Sequence, residues 1–154
     1  MKNIIGIDPG LSGAIAMYDG AELLVWDMPF FEIAVNGKKR KRIDTVALHN
    51  LMRCNEIDHV YIEKVNAQPG NGTAAAFSFG YGCGVIDAVV QCSELPFTHV
   101  SPQRWKKDMG CPKEKDGARH RASQLLPKWA HCWQLRRQDG VAEAAMISMW
   151  GFKQ

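Results

Sequence analysis

The stretch IIGIDPG, residues 4–10, is an apolar run that ends in a carboxylate, Asp8. Its composition predicts a buried strand over residues 2–8. A second apolar run, VYIE (residues 60–63), ends in a carboxylate as well, Glu63. A bare carboxylate at the end of a core strand is expensive to desolvate and needs compensation. Because an open α/β sheet presents its site at adjacent strand ends, we expect the two side chains to lie close together.

A third acidic segment lies near the C-terminus, DGVAEAAMI (residues 139–147). Its two carboxylates, Asp139 and Glu143, are four residues apart, so on a helix they would share a face with about 5–6 Å between their Cβ atoms. The small residues around them would let this helix approach the sheet closely. Converging carboxylates favour a hard divalent cation such as Mg²⁺, which also leaves room for phosphate oxygens. The sequence therefore predicts a metal centre for phosphoryl chemistry, with these ligands: Asp8, Glu63, Asp139 and Glu143.

Each of these carboxylates also has an ordinary alternative role. Asp8 precedes Pro-Gly and is a suitable turn cap, whereas Glu63 is followed by Lys64, its candidate partner in a surface ion pair. Asp139 suits a helix N-cap, and Glu143 a solvent-facing helix position. The four carboxylates together indicate a metal centre more specifically than any one of them does alone.

The order of the remaining elements predicts the α/β class. Three antiparallel strands followed by helix-separated strands give a mixed five-stranded sheet flanked by helices. Further strands are predicted over residues 12–18, 21–28 and 97–100, and helices from residue 43 with Asp44 as N-cap, over 73–92, from Pro102 with Ser101 as N-cap, over 113–126 and over 139–150. Loops are predicted for the basic block after Pro29 and for residues 66–72, the second of them flexible.

Length and composition set the broad class. A chain of 154 residues with 46% hydrophobic and 23% charged residues is expected to form a single domain, residues 1–154. Neither a signal peptide nor an apolar run near the length of a membrane span is expected, so a cytoplasmic protein of a bacterial or phage-infected bacterial cell is predicted.

Five cysteines without a CxxC pair favour a reducing compartment. One alternative is a zinc site, although its spacing fits no standard pattern. Its ligands would be Cys111, His120, His131 and Cys132.

Four motifs together resemble RuvC-type Holliday junction resolvases, above all the small resolvase-like nucleases of bacteriophages and prophages. They occur in the same order along the whole chain. The motifs are IGIDPGLSGAIA (residues 5–16), YIEKV (61–65), SPQRWKK (101–107) and DGVAEAA (139–145).

The resemblance implies an RNase H-like fold, a homodimer, two Mg²⁺ or Mn²⁺ ions per site, and paired nicking of four-way DNA junctions in recombination and repair. It implies metal binding by the four carboxylates above, with water as the nucleophile and Asp8 bridging both ions. By position it assigns DNA contacts near the scissile phosphate to Lys106, also a candidate catalytic residue, and to Lys115.

Cations elsewhere extend this predicted DNA surface. The charge of the chain is +3, and its basic residues cluster in one short block and in the last third. Clusters of this kind contact phosphates, although charge runs are also commonly solvated. The predicted DNA-binding residues are Lys38, Lys39, Arg40, Lys41, Arg42, Arg104, Lys106, Lys107, Lys115 and Arg119.

The chain departs from the cellular resolvases in two places. Their C-terminal acidic pair is three residues apart, whereas here it is four. They carry an aromatic residue shortly after the catalytic glutamate, where this chain reads VNAQ (residues 65–68). Broader activity on forks and flaps is therefore expected. Two alternatives stay open, an RNA-processing nuclease of the same fold and a non-catalytic junction-binding module. A nucleotide cofactor is not expected, because actin-like ATPases and sugar kinases need two domains.

Overall fold

A mixed five-stranded sheet lies at the centre of the protein, with strand order β3-β2-β1-β6-β7. The computed structural model describes residues 2–66, 70, 72–114 and 116–154. Strand β1 (Ile4–Asp8) pairs antiparallel with β2 (Ala14–Tyr18), which pairs antiparallel with β3 (Leu23–Asp27). On its other side β1 pairs parallel with β6 (His59–Glu63), and β6 pairs parallel with β7 (Phe97–Val100). The predicted mixed sheet is confirmed.

The register of β1 and β6 brings two carboxylates to one edge. Ile7 lies opposite Ile62 in the parallel pair. The residues that follow, Asp8 and Glu63, are the last of their strands. Because the two strands run in the same direction, both side chains emerge at the carboxyl edge of the sheet.

Helices cover both faces of this sheet. Helix α1 begins after Asp44, whose carboxylate accepts a hydrogen bond from the Ala47 amide at 3.0 Å. Helix α3 begins after Ser101, whose hydroxyl accepts from the Arg104 amide at 3.3 Å. Both predicted N-caps are confirmed. The helices are α1 (Thr45–Cys54), α2 (Thr73–Cys92), α3 (Pro102–Asp108), α4 (Gly117–Leu125) and α5 (Asp139–Phe152), with short 3₁₀ helices at Pro127–Trp133 and Arg136–Gln138.

One predicted helix is shorter than expected, and one predicted loop is largely untested. The helix predicted over residues 113–126 begins only at Gly117. Much of the loop predicted for residues 66–72 lies outside the described residues.

The C-terminal helix α5 packs directly on β1. A Cβ on Gly6 would collide with the backbone of Ala144 and of Ser148, so only glycine permits this approach. On this face α5 forms one core cluster with side chains of the sheet, α3 and α4. On the opposite face, α1 and α2 form the second cluster with residues such as Ile5 and Ile7. The site is therefore built where a buried helix meets a buried strand.

The basic block forms a strand, so the predicted loop is wrong. Strands β4 (Phe30–Val35) and β5 (Lys38–Ile43) pair antiparallel as a separate two-stranded hairpin. Its turn is Asn36-Gly37, with φ angles of 50° and 72°. Asn-Gly is the preferred pair for a two-residue hairpin turn because both positions need positive φ. The turn residues here outweigh the low strand propensity of consecutive cations.

Helix α2 also corrects an expectation. By length and composition it could cross a membrane, since it has 20 residues, a window of mean hydropathy 1.4, and a single charged residue, Asp87. The expectation that no apolar run reaches this length was wrong. One such helix is weak evidence for a membrane, because helices of protein cores also meet this criterion. Only 17% of its window is buried, and its core contacts come mainly from the C-terminal half, where Ile86, Val89 and Val90 are buried.

Candidate metal centre

Three of the four predicted ligands converge at the carboxyl edge of the sheet. Asp8 ends β1, Glu63 ends β6, and Glu143 lies in the second turn of α5. Each offers a carboxylate oxygen, and these oxygens all lie within 4.8 Å of one another. The strand ends fix two of the carboxylates, and the packing of α5 on β1 brings the third.

The fourth predicted ligand, Asp139, pairs with an arginine. Its Oδ1 lies against Nε of Arg119 from α4. That guanidinium is held by Asp116 at 2.6 Å and by the carbonyl of Gln134 at 3.1 Å. Arg119, predicted to bind DNA, is thus engaged with a carboxylate at the rim of the site. The role of Asp139 as a ligand stays a prediction.

A glycine sets the distance between α5 and the end of β1. A Cβ on Gly140 would lie 2.9 Å from Oδ2 of Asp8 and 2.8 Å from the carbonyl oxygen of Ser12. Both distances are shorter than real Cβ contacts allow. Glycine at this position therefore lets the first turn of α5 lie against the carboxylate.

Burial and mutual repulsion dominate the electrostatics of the cluster. Burial raises the pKa of Asp8 well above its usual value, and the charges of Glu143 and Glu63 raise it further, while Lys106 opposes them. The pKa of Glu63 is raised by burial and by Glu143, against the opposing effects of Trp105 and Lys106. The carboxylates are thus held together against a cost in free energy, which a bound cation would relieve.

Consecutive residues of α3 hold two of the carboxylates. The indole Nε1 of Trp105, a fully buried side chain, donates to Oε2 of Glu63 at 2.6 Å. The Nζ of Lys106 donates to Oε1 of Glu143 at 2.7 Å. Burial lowers the pKa of Lys106, but the hydrogen bond and charge of Glu143 outweigh it, and the net shift is upward. Lys106 therefore stays cationic beside the cluster.

Sequence reasoning missed the contact of Trp105 with Glu63. The sequence motif SPQRWKK assigned a role to Lys106 and none to the tryptophan before it. The available signal was general, since a buried indole N–H needs an acceptor. The position of that acceptor depends on the tertiary fold.

The donor set fits a divalent metal ion. Three carboxylates from separate elements supply only oxygen ligands, which suit Mg²⁺ or Mn²⁺. Three carboxylates face one ammonium group, that of Lys106, and the pKa of Asp8 is raised by burial and then by Glu143 and Glu63 against the opposing effect of that group. The geometry and the uncompensated charge thus both favour a bound cation.

A basic cleft of about 400 Å³ opens beside Asp8 and Glu143. Arg119, Arg136 and Arg137 line it. The last two were not predicted as site residues, although their position two and three residues before Asp139 was a usable signal. Arginines beside a carboxylate cluster suit an anionic phosphate ligand.

The other predicted DNA-contacting cations are spread over two surfaces. The block Lys38–Arg42 lies on β5 and is largely exposed. On α3, Lys107 is exposed, and the guanidinium of Arg104 lies 5.3 Å from the ring centroid of Trp150. Lys115 lies outside the described residues.

Solved structures share this architecture. Thermus thermophilus RuvC in complex with a Holliday junction substrate matches with a TM-score of 0.66 and 11% identity, over 99% of this chain and 94% of that one. A second T. thermophilus RuvC structure matches with a TM-score of 0.58 and 14% identity, over 97% and 93%. The chain has the RuvC-type, RNase H-like fold.

A third likeness comes from another organism. The yeast mitochondrial Holliday junction resolvase Ydc2 matches with a TM-score of 0.55 and 12% identity, over 99% of this chain and 78% of that one. No protein-family model and no curated protein sequence matches the chain. At these identities the likeness concerns the fold, and the chemistry must be argued from the site.

Proposed function

We propose that this protein is a metal-dependent, structure-selective endonuclease that cuts four-way DNA junctions and other branched DNA such as forks and flaps. The observation that carries the proposal is the convergence of Asp8, Glu63 and Glu143, with Lys106 beside them, in a RuvC-type fold. Oxygen ligands of this kind are typical of enzymes that act on phosphodiesters. The likeness to bacteriophage and prophage enzymes rests on sequence motifs alone.

Each residue of the site has a distinct task in this proposal. Mg²⁺ or Mn²⁺, when bound, supplies Lewis-acid polarisation of the phosphodiester and an activated water. Asp8, Glu63 and Glu143 would hold the metal, and Asp139 would join them as the fourth ligand. Trp105 orients Glu63 through its indole N–H. Lys106 stabilises negative charge that develops on the phosphate oxygens.

The surrounding cations position the DNA backbone. Arg136 and Arg137 line the cleft beside the carboxylates and are exposed to an incoming phosphate. Contacts from Arg104, Lys107 and the block on β5 would extend this surface. Since each phosphate contact releases counterions, binding should weaken steeply as salt rises.

The test is cleavage of a labelled four-way junction with Mg²⁺, beside a linear duplex, a fork, a flap and a structured RNA. Paired nicks in the junction that require Mg²⁺ support the proposal, and comparable cutting of forks or flaps supports its wider form. Cleavage of the RNA alone would transfer the assignment to RNA processing. Binding of the junction without any cleavage would identify a binding module instead.

Two aspartate variants make this test specific. Asp8→Asn removes a carboxylate of the cluster and should abolish cleavage. Asp27→Asn is the matched control. Asp27 also ends a strand of the same sheet, β3, but it is exposed, and β2 separates it from Asp8. Equal activity of Asp8→Asn and wild type would refute the assignment of the site.

We also propose that the protein is a homodimer that pairs through α2. Phe77 and Tyr81 are 75% and 55% exposed, so they are not core residues of this chain. Gly80 and Gly84 lie on the same stripe of the helix, and a Cβ on either would have nothing within 4 Å. Small residues beside exposed rings suit the close approach of a second helix.

Sedimentation at micromolar concentration tests the dimer. A dimer is expected for wild type, and a monomer for Gly84→Arg, which puts a bulky charge on the stripe. A monomeric wild-type protein would contradict the proposed pairing.

A further inference from the structure

The guanidinium of Arg119 holds three acceptors from three parts of the chain at the rim of the carboxylate cluster. Its Nη2 donates to Oδ1 of Asp116 at 2.6 Å, and its Nη1 donates to the carbonyl oxygen of Gln134 at 3.1 Å. Its Nε faces Oδ1 of Asp139, in the first turn of α5. One cation thus fixes the carboxylate that is predicted as the fourth metal ligand.

Asp139 lies close to the metal centre although Arg119 holds it. It lines the same cleft as Asp8 and Glu143. The residue after it, Gly140, lies so close to Asp8 that a Cβ would come within 2.9 Å of the Oδ2 atom of that aspartate. Residues four apart on a helix share a face, so Asp139 lies on the face of α5 that carries Glu143. A rotation of the Asp139 side chain, which is 41% exposed, would therefore bring its carboxylate toward the cluster.

The two atoms that join Arg119 and Asp139 are shielded from water. Nε of the arginine and Oδ1 of the aspartate are both buried, and neither makes another hydrogen bond among the described residues. A buried polar atom that loses its partner and gains no other costs the free energy of its desolvation. The pair should therefore separate only when each atom receives a new partner, an anion for the arginine and a cation for the aspartate.

The proposed function supplies both of these partners. Arg136 and Arg137 line the cleft, are exposed, and would attract a DNA phosphate to it. Arginine binds phosphate best through two parallel N–H bonds. Two carboxylates already face the single guanidinium of Arg119, so a phosphate can pair with it in this way only when one of them leaves. Asp139 is the one that borders the metal centre.

We propose that Arg119 withholds Asp139 from the metal until a DNA phosphate binds in the basic cleft. Without DNA, the arginine keeps this carboxylate away from the cluster. A bound phosphate takes over the guanidinium, and Asp139 then joins the other three carboxylates as a ligand. Coupling between two binding sites is reciprocal, so the metal strengthens DNA binding by the same factor. This inference rests on the proposed function and adds that Arg119 is a positioning residue through which DNA tightens the binding of Mg²⁺.

The test is the affinity for Mg²⁺, measured by calorimetry with and without a short linear duplex. The duplex supplies phosphates but has no branch, so the proposed activity does not cut it, and the heat of Mg²⁺ binding to the duplex alone is subtracted. The proteins are wild type, Arg119→Gln, Asp139→Asn and the double variant. Arg136→Gln is the matched control, because it removes a cation from the same cleft while Asp139 stays paired with Arg119.

The duplex should raise the Mg²⁺ affinity of wild type by about fivefold or more, the lower end of typical couplings between two sites. It should raise that of Asp139→Asn much less, because this variant has no carboxylate to release. Without DNA, Arg119→Gln should bind Mg²⁺ about fivefold more tightly than Arg136→Gln, which measures the effect of charge alone. Adding Asp139→Asn to Arg119→Gln should remove this gain.

Equal effects of the duplex on wild type and Asp139→Asn would overturn the inference, as would equal Mg²⁺ affinities of Arg119→Gln and Arg136→Gln. The first comparison leaves Arg119 unchanged, so it decides the matter even if Arg119→Gln does not fold. Calorimetry needs no cleavage, so its outcome is separate from that of the nuclease assay. A protein that cuts branched DNA and binds Mg²⁺ equally with and without the duplex would keep the proposed function and lose this role of Arg119.

Discussion

Replacing Asp8 by asparagine should stabilise the metal-free protein at neutral pH. Oxygens of Asp8, Glu63 and Glu143 lie within 4.8 Å of one another. At an effective dielectric constant of about 20, two unit charges at 4.8 Å repel by roughly 3 kcal/mol. Lys106 offsets part of the repulsion that Asp8 experiences. We therefore expect a net gain of about 1–3 kcal/mol in the free energy of unfolding, a rise of roughly 3–10 °C in Tm.

The gain should depend on pH in a defined direction. Burial, Glu143 and Glu63 raise the pKa of Asp8 in the folded state above its unfolded value of about 3.9. A raised pKa means that the stability associated with the protonated group is fully present below about pH 4 and is lost as pH rises through the folded-state pKa. Wild type should therefore lose stability relative to Asp8→Asn over that range, and the two should converge near pH 4.

Thermal unfolding in EDTA from pH 4 to pH 8, followed by circular dichroism, measures this effect. Asp27→Asn, at an exposed strand end, should show no comparable gain. Adding Mg²⁺ at pH 7 should raise the Tm of wild type, because a ligand that binds only the folded state stabilises it, and should raise that of Asp8→Asn less. A Tm of Asp8→Asn at or below that of wild type in EDTA would refute the reasoning.

Three further substitutions address the neighbours of the cluster. Lys106→Gln should lower single-turnover junction cleavage by about 100-fold, since it removes a charge that stabilises the transition state; unchanged cleavage would contradict the role. Trp105→Phe leaves the buried carboxylate of Glu63 without its donor and should cost about 1–3 kcal/mol of stability while weakening Mg²⁺ binding in calorimetry. Trp133→Phe, which removes a similar bond to a serine, should cost stability without changing Mg²⁺ affinity. Gly140→Ala should destabilise the protein by about 1–3 kcal/mol in urea unfolding, through overpacking against Asp8, and should also weaken Mg²⁺ binding. Wild-type stability and wild-type Mg²⁺ affinity in this variant would show that α5 can move away from β1 and would contradict the prediction.

The parts of the fold that sequence predicted are those with local causes. The strands that end at Asp8 and Glu63 are short apolar runs, and their burial follows from composition. The caps Asp44 and Ser101 act on amides three residues away, within reach of sequence rules. These predictions were correct because the interactions behind them span only a few residues.

The parts that sequence missed depend on competition or on tertiary contact. In the β4–β5 hairpin, the Asn36-Gly37 turn competes with the low strand propensity of five consecutive cations, and the turn determines the structure. The bond from Trp105 to Glu63 joins residues 42 positions apart, on α3 and β6. Local pattern cannot supply such a pairing, because it exists only after β6 and α3 are placed on the sheet.

Asp139 and Glu143, four residues apart on α5, pair with different cations, Arg119 for the first and Lys106 for the second. Residues four apart on a helix are separated by about 6 Å along its axis, against about 4.5 Å for residues three apart. Glu143 belongs to the cluster, while Asp139 lies in the first turn of α5, where Arg119 reaches it from α4. Arg119 also pairs with Asp116, so one guanidinium connects the edge of the carboxylate cluster with the exposed start of α4. A DNA phosphate in the cleft would compete with Asp139 for this arginine, because both are anions within its reach. The four-residue spacing thus couples the fourth carboxylate to the basic cleft through a single side chain.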